Sequence, residues 1–588
     1  MRALASFTRQ LASAAPKGRP KLFRERENEY FHGVMENLPA YRETVLPKPD
    51  RENACLMLSS EKTWPFDEFC DRSLKTQGSS FDIENDAHKY LTQQVATNVH
   101  LANEDQLKDC LICLSLWPPT PGTTTKNFMQ LWNALDRECT KRSPSWKPQM
   151  QLLLADCFFH LRLSRITSYN RAVLHNLAVA LPTLPAHNLV QYLFLSNLQR
   201  MMVESVDTVL QDRLRTLVLQ MSVEEAGIIC QGFFKCKKTI QDKVLLRTVT
   251  EKTVEQLPNV SSIVVCAILK EIRYSSTTRN LDSYKDLLFK CQRHMAHWDM
   301  PTINQLYNLV SGMKIFQPEF LLQATNYISS RLDRIRLKEI SSLLYGQAVF
   351  ALEDKHFYEK VAQQLRDSTR AAEIERYHHC LVSCVWYFAL GEFFPEDLVR
   401  LALDESKINL DKRHGDIKFE LAGLHHSVFI ESSTYKGPFL SEDTLRRCME
   451  NVNLKNIQVP SGTMQQRITT EIYESLRGRQ TADIVRVLPH MHSPDIVFDI
   501  DVDTKSVRKA RLQKLSYNIV KPKDRAWVVV VQGKSSFCHD SRRLTGLARA
   551  KIRQLTRLGF SVIQVPYYDS QRFSSREKIL DVALAGLS

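Results

Sequence analysis

Residues 527–567 read WVVVVQGKSSFCHDSRRLTGLARAKIRQLTRLGFSVIQVPY. Trp527–Val531 is a short, apolar, β-branched run, the composition of a buried strand, and Gln532-Gly533 ends it in a turn. Leu544 to Leu558 spaces its apolar residues as a helix does, and Gly559 stands where a C-cap residue ends one. Phe560 to Val565 is a second buried strand, stopped by Pro566. Upstream, where the pattern changes after Pro494, Asp495 to Val502 alternates as a further strand, and Ser506 to Leu515 follows as a basic, helix-like run. Downstream, Ser575 to Leu587 closes the unit as a last helix. The expected order is β-α-β-turn-α-β with short links, a compact α/β domain over 491–588.

Within it, Val528 to Leu587 resembles the RAP domain. That family's pattern is a hydrophobic strand ending in a D-G turn, an aromatic soon after, an L-x-G-x-x-x-x-K helix, then L-G-[apolar]-x-V and a V-P-[aromatic] strand end. Gly533, Phe537, Leu544, Gly546, Lys551, Leu558, Gly559, Phe560, Val562, Val565, Pro566 and Tyr567 meet it here. The resemblance implies a fold similar to PD-(D/E)xK nucleases. RAP domains usually carry a Glu and an Asp before the turn glycine, and this chain has Val530 and Gln532 instead, so the carboxylates that would hold Mg²⁺ are missing. A looser match pairs Pro494-Asp495 with Gln532-Gly533-Lys534 and leaves a neutral amide as a weak ligand. We therefore expect no catalytic residue, no metal and no cofactor; a divergent metal-dependent endoribonuclease remains an alternative.

Charge supports an anionic partner. From His490 to Ser588 there are 18 Lys or Arg against 9 Asp or Glu, so this sixth of the chain supplies +9 of the net +14. Arg508, Lys509, Arg511 and Lys514 share one run, Lys534 follows the turn, and Arg542, Arg543, Arg549, Lys551, Arg553 and Arg557 lie on or just before the helix. Such clusters neutralise phosphates, and Tyr567 and Tyr568 offer rings for base stacking. A solvated basic face, or one docked on acidic protein, has the same composition.

N-terminal to this domain the chain repeats. Apolar anchors at Leu152, Leu189, Ala226, Ile263, Ile303, Ile340 and Tyr377 are separated by 37, 37, 37, 40, 37 and 37 residues, each followed at +3 and +4 by largely apolar or small residues. Second helical patterns follow in most units, at Val206 to Leu219, Lys243 to Leu257, Tyr284 to Met295, Pro318 to Leu332 and Phe357 to Leu365. Each unit reads as an αα-hairpin that cannot bury its own apolar face, so hairpins stack into a solenoid. This array is similar to the heptatricopeptide and octotricopeptide repeats that often precede RAP domains in organellar RNA proteins, including the FAST kinase domain family. The fold class expected is mainly α, an αα-hairpin solenoid at 101–408 followed by the small α/β domain. Leu107 to Leu116 and Asn127 to Cys139 form helices either side of a Pro118–Gly122 loop. Residues 409–490 hold a degenerate unit or connector, with Ile417 to Phe429 and Thr444 to Met449 helical and a break at Pro460 to Gly462. Residues 25–100 show few periodic segments.

Residues 1–24 contain Arg2, Arg9, Lys17, Arg19, Lys21 and Arg24 and no acid, and read as a mitochondrial targeting peptide, with a plastid second. No apolar run approaches the ~20 residues that cross a bilayer, so no membrane insertion is expected. The fourteen cysteines follow no disulfide framework. Cys110-x-x-Cys113, the Cys380/Cys384 pair beside His378 and His379, His425-His426 and His490-x-His492 read as packing rather than metal sites. The function expected is mitochondrial RNA binding, in RNA processing or stability or as a ribosome or ribosome-assembly component contacting rRNA. The partners expected are rRNA or an organellar transcript, with ribonucleoprotein or ribosomal proteins. A scaffold acting through protein contacts is a second alternative.

Overall fold

The computed structural model describes residues 23–588 except 48–49, 59–62, 76–81, 118–123, 277–280, 411–416, 456–462, 477–480, 492, 502, 505, 540 and 586–588. The expected targeting peptide, the expected Pro118–Gly122 loop, the expected break at Pro460 to Gly462 and His492 lie outside, or largely outside, the described residues. The chain forms two compact units, Met1–Thr302 and Ile303–Ser588.

In the first unit, α1 (Phe23–Asn37) precedes the repeats, and the anchor-bearing helices are α2 (Pro148–His160), α3 (Ala186–Gln199), α4 (Val223–Lys235) and α5 (Ser262–Ser275). Each is followed by a partner: Ser168–Ala180, Asp207–Leu217, Lys243–Gln256 and Leu281–His294. The 25–100 stretch is itself helical, at Arg51–Met57, Phe66–Lys75 and Asp86–Asn98 besides α1. In the second unit α6 (Met300–Gly312), α7 (Leu337–Val349), α8 (His378–Leu390) and α9 (Ile417–Glu431) play the anchor-bearing part, with Pro318–Ser329, Lys355–Arg366 and Glu396–Ala402 as partners. The seventh anchor, Tyr377, is the N-cap of α8. Local chemistry starts these helices: Ser222 and Glu225 form a reciprocal capping box at α4. Packing sustains them. Leu189, Leu193, Ile229, Phe233 and Val265 are fully buried, each such burial contributing about 1.5–3 kcal/mol.

Six of the anchor-bearing helices, α2 to α4 and α6 to α8, share one ending. Arg162, Arg200 and Lys237 in the first unit, and Lys314, Ala351 and Glu392 in the second, have φ between 48° and 60°. Each donates its N–H to the carbonyl three residues back, and the next residue donates five back, as in Leu163 to Phe158 and Ile315 to Val310. This is the Schellman ending, which satisfies the last helical carbonyls and favours glycine at the left-handed position. None of these six is glycine.

The α/β domain is built on a five-stranded sheet of β1 (Asp483–Val485), β2 (Asp495–Asp501), β3 (Ser506–Arg508), β6 (Ala526–Gln532) and β7 (Phe560–Pro566); β4 (Leu512–Lys514) and β5 (Val520–Pro522) pair separately. The main order is β1-β2-β6-β7, with β3 also on β2. All pairings are antiparallel except β6 with β7, which run parallel from Ala526↔Phe560 to Gln532↔Pro566. That parallel pair needs a crossover, and α11 (Gly546–Arg557) provides it. Alternation divides the sheet's faces: Ile496, Phe498, Trp527 and Val529 pack with α10 (Met464–Ser475) and α12 (Arg576–Ala585), while Val497, Val528 and Val530 pack with Leu555 of α11. The expected basic helix at Ser506 to Leu515 is corrected to β3 and β4. Asp501 Oδ1 accepts the N–H groups of Asp503 and Thr504, a tight turn that folds β3 back onto β2.

Candidate nucleic-acid interface

The basic helix α11 lies on the C-terminal ends of the anchor-bearing helices of its own unit. Gly546 makes the approach possible, because a Cβ there would run into the Ala348 carbonyl oxygen at the end of α7. From that contact the cations follow at helical spacing. Arg543 donates to the carbonyls of Phe350 (2.7 Å) and Ala351 (3.0 Å) and lies over the Phe316 ring. Arg549 pairs with Glu353 at 2.8 Å. Arg553 donates to Glu431 at 2.6 Å and to the carbonyls of Ala389 and Leu390, and Arg557 reaches the Glu431 carbonyl at 2.7 Å and Glu392 at 3.0 Å. Helix C-termini carry partial negative charge, so these guanidiniums meet both fixed acids and helix dipoles. Four of the expected phosphate ligands, Arg543, Arg549, Arg553 and Arg557, thus hold protein.

Lys551 is also committed. It is buried, 2.6 Å from Asp495 Oδ1 and 2.9 Å from the Ser493 carbonyl and hydroxyl. Burial raises the Asp495 carboxyl and Lys551 opposes the rise. Gln532, buried in β6, donates to Gln564 Oε1 at 3.2 Å, and Val530 is buried in the α11-side core. In the looser nuclease match, the one acid is therefore neutralised by a lysine and the amide is bonded to a second amide.

The remaining expected residues are accessible. Lys534 and Arg542 are exposed, the first 5.9 Å from the Tyr567 ring centroid and the second 5.0 Å from that of Tyr568. The two tyrosine rings stand edge to face at 5.4 Å and both pack on Phe537. On the β2–β5 side, Arg508 pairs with Asp499 (2.7 Å), Lys509 with Asp483 (3.1 Å) and Arg511 with Asp524 (2.7 Å), all three basic residues exposed, and Lys514 is exposed on β4. Ion pairs between exposed groups exchange readily for other anions, whereas Glu431, wholly buried, does not.

The first unit holds one constellation that sequence reading missed. His32 Nε2 lies 2.9 Å from Asp156 Oδ1, His160 Nε2 lies 3.5 Å from Asp156 Oδ2, and the Leu46 N–H donates to Asp156 Oδ2 at 2.8 Å. The three side chains bring ligand atoms within 4.8 Å of one another. His32 and Asp156 are 124 residues apart, and no spacing rule links them. Cys110 and Cys113 are buried core thiols, as are Cys380 and Cys384.

No helix among the described residues is long and apolar enough to cross a membrane. Residues 529–580 match the model of the RAP domain. The chain is 22% identical over 308 residues to FAST kinase domain-containing protein 5, mitochondrial, of Mus musculus, an alignment covering 50% of this chain and 40% of that protein. The Homo sapiens protein of that name is 20% identical over 446 residues, covering 61% and 58%. FAST kinase domain-containing protein 3, mitochondrial, of Bos taurus is 24% identical over 170 residues, covering 28% and 23%. The matches to the first three curated relatives span only about two fifths of their length. The chain carries a RAP domain at its C-terminal end, resides in the mitochondrion, and is similar to the mitochondrial FAST kinase domain-containing proteins.

Proposed function

We propose that this chain binds mitochondrial RNA, with the helical repeats lying along the strand and the exposed rim of the RAP domain holding backbone or an end. The observation that carries this reading is the group of Lys534, Arg542, Tyr567 and Tyr568, which sets two exposed cations against two tyrosine rings. Phosphate charge and an unstacked base are the complementary ligands of such a group, and single-stranded RNA offers both. Arg508, Lys509, Arg511 and Lys514 form a second exposed basic group, on and between β3 and β4 toward the other end of the sheet. Binding of this kind serves transcript processing or stability, or contact with rRNA within a ribosome or its assembly intermediates, alongside ribonucleoprotein or ribosomal proteins.

The test is ultraviolet crosslinking of the tagged protein in isolated mitochondria, with both the RNA and the crosslinked peptides sequenced. We expect enrichment of a defined transcript or rRNA region and crosslinks within 534–568. Steady co-purification with proteins and no RNA crosslinks would replace this reading by that of a protein-contact scaffold.

A further inference from the structure

In the first unit the left-handed turn residues are all basic: Arg162, Arg200 and Lys237. They fall ten or eleven residues after the anchors Leu152, Leu189 and Ala226, so the repeat places one at the same point of three successive hairpins, while α5 ends instead in an extended Ser276. An L-residue other than glycine is disfavoured at positive φ, and arginine and lysine bring no local side-chain hydrogen bond to offset that, as asparagine would. Arg162 and Lys237 are exposed and Arg200 is half-buried, and among the described residues no carboxylate lies within ion-pair range of any of the three. A helix C-terminus alone attracts one cation. Here the charge exceeds that need, since Lys238 follows Lys237 and the Arg165 and Arg24 guanidiniums lie close enough to Arg200 to disfavour its charge further, beyond the effect of burial. Glu27, which partly favours the Arg200 charge, is itself ion-paired with Lys235 and Lys270. Beside the row, Tyr274 is 44% exposed, its hydroxyl donating to the Lys237 carbonyl at 3.2 Å and its ring edge-on to Phe234. An exposed ring held next to a line of cations is the arrangement that takes a base and its phosphates.

We infer that the turn residues Arg162, Arg200 and Lys237, with Lys238 and Tyr274 beside them, form a rail for the phosphate backbone of single-stranded RNA, one cation per repeat. Neighbouring packed helices lie about 8–10 Å apart, so the row presents charge at a regular step. A linear polyanion fits such a row better than a compact anion does. The inference rests on the RNA-binding reading above and adds residues that neither the RAP domain nor its rim contains.

The full chain carrying Arg162→Gly, Arg200→Gly and Lys237→Gly tests it, because glycine removes the charge and suits the left-handed backbone, so the variant keeps its fold by circular dichroism and melting. Binding of labelled oligouridylate is titrated over a range of salt. Without these three cations to neutralise phosphates, the slope of log affinity against log salt should flatten by about 2 and affinity should fall about tenfold or more at low salt. A second variant, Arg162→Lys with Arg200→Lys, keeps the charge and should bind like the unmodified chain. Unchanged affinity and slope in the glycine variant, with the unmodified chain binding normally, overturns the rail alone. Absence of RNA binding by the unmodified chain overturns the RNA reading as well. Loss of co-purifying acidic proteins from the glycine variant, with RNA binding intact, reassigns the row to a protein ligand and also overturns the inference.

Discussion

In the unit Ile303–Ser588 the Schellman turns at Lys314, Ala351 and Glu392 are covered by the RAP domain: Lys314 donates to the Ser535 carbonyl, Ala351 accepts from Arg543, and Glu392 pairs with Arg557. In the unit Met1–Thr302 the equivalent turns carry Arg162, Arg200 and Lys237. One backbone device, with its carbonyl-rich helix end, has been given opposite partners. Where the edge is left acidic, with Glu353, Glu392 and Glu431, it binds the protein's own basic helix. Where the edge is made basic it repels such a helix and suits an anion. The docked helices show the same inversion. α11 brings arginines to acids, whereas α1 brings Glu27 to Lys235 and Lys270. Net basicity therefore misleads as a guide to the binding face. The most basic of the described helices, α11, spends much of its charge internally, while Arg162 and Lys237 at the turns of the first unit are exposed.

The largest effect should come from breaking the internal dock. Glu431 is wholly buried and accepts from Arg553 (2.6 Å) and Gln554 (2.6 Å). Glu431→Ala leaves the Arg553 guanidinium, which is only 18% exposed, without its main counter-charge, a loss of about 3–5 kcal/mol. Denaturant unfolding followed by tryptophan fluorescence should show it, with early proteolytic release of the RAP domain. The matching change at the other edge, Lys237→Ala, should alter stability by no more than about 0.5 kcal/mol. Equal, small effects at both positions would show that α11 is not held by its charges, and the contrast between the edges would fail.

What was legible in the sequence was whatever repeats or alternates. The anchors at a 37-residue interval reappear as α2 to α7, because a face of apolar residues at helical spacing must be covered, and the runs 527–531 and 560–565 appear as β6 and β7. β3 and β4 were not legible. Each has three residues, too few to alternate; a turn that begins at Asp501 returns β3 to β2, and β4 is a strand through its pairing with β5. The partners of α11 were hidden for another reason: Glu353, Glu392 and Glu431 lie 122 to 196 residues away from the arginines they hold, and charge composition carries no direction. The rail residues had a signal that went unread, a basic residue in constant register with the anchors, but only the positive φ shows that these positions are turns.

A smaller, pH-dependent effect separates the ways the two docked helices are held. Burial would raise the Asp156 carboxyl, but His32 and His160 outweigh it and hold it at about 2. Burial would lower His32, and Asp156 with Glu36 outweighs it, so His32 is raised above 6.5. His32 with a raised value contributes stability that is full below 6.5 and lost as pH rises through its folded value. Asp156 with a depressed value contributes stability present above 3.8 and lost as pH falls toward 2. The attachment of α1 through His32 should therefore be firmest between pH 3.8 and 6.5. Amide exchange in α1, corrected for the intrinsic rate, should be slower at pH 5.5 than at pH 8, and His32→Gln should remove the difference. α11 packs through Gln554 on His490, whose value burial pushes well below 6.5, a contribution present above 6.5 and lost as pH falls, so α11 should show no slowing at pH 5.5; a parallel trend in both helices would refute separate modes of attachment.

The smallest effect is the most discriminating, because it asks what a left-handed arginine is for. An L-residue at positive φ costs about 1–2 kcal/mol relative to glycine, and glycine gives back roughly 0.5–1 kcal/mol through the greater freedom of its unfolded chain. Arg200→Gly and Ala351→Gly should each raise stability by about 0.5 kcal/mol, read as a small upward shift in the unfolding midpoint. The two should then part company. Ala351 supplies the dock with a backbone carbonyl only, so its variant should be a gain in stability without any change in RNA affinity. Arg200 supplies a side chain, so its variant should gain stability and lose affinity. If Arg200→Gly instead loses stability, the half-buried guanidinium is holding the first unit together, and its place at the turn is explained by packing. If it gains stability at no cost in binding, nothing in the charge of that turn accounts for a residue the backbone disfavours.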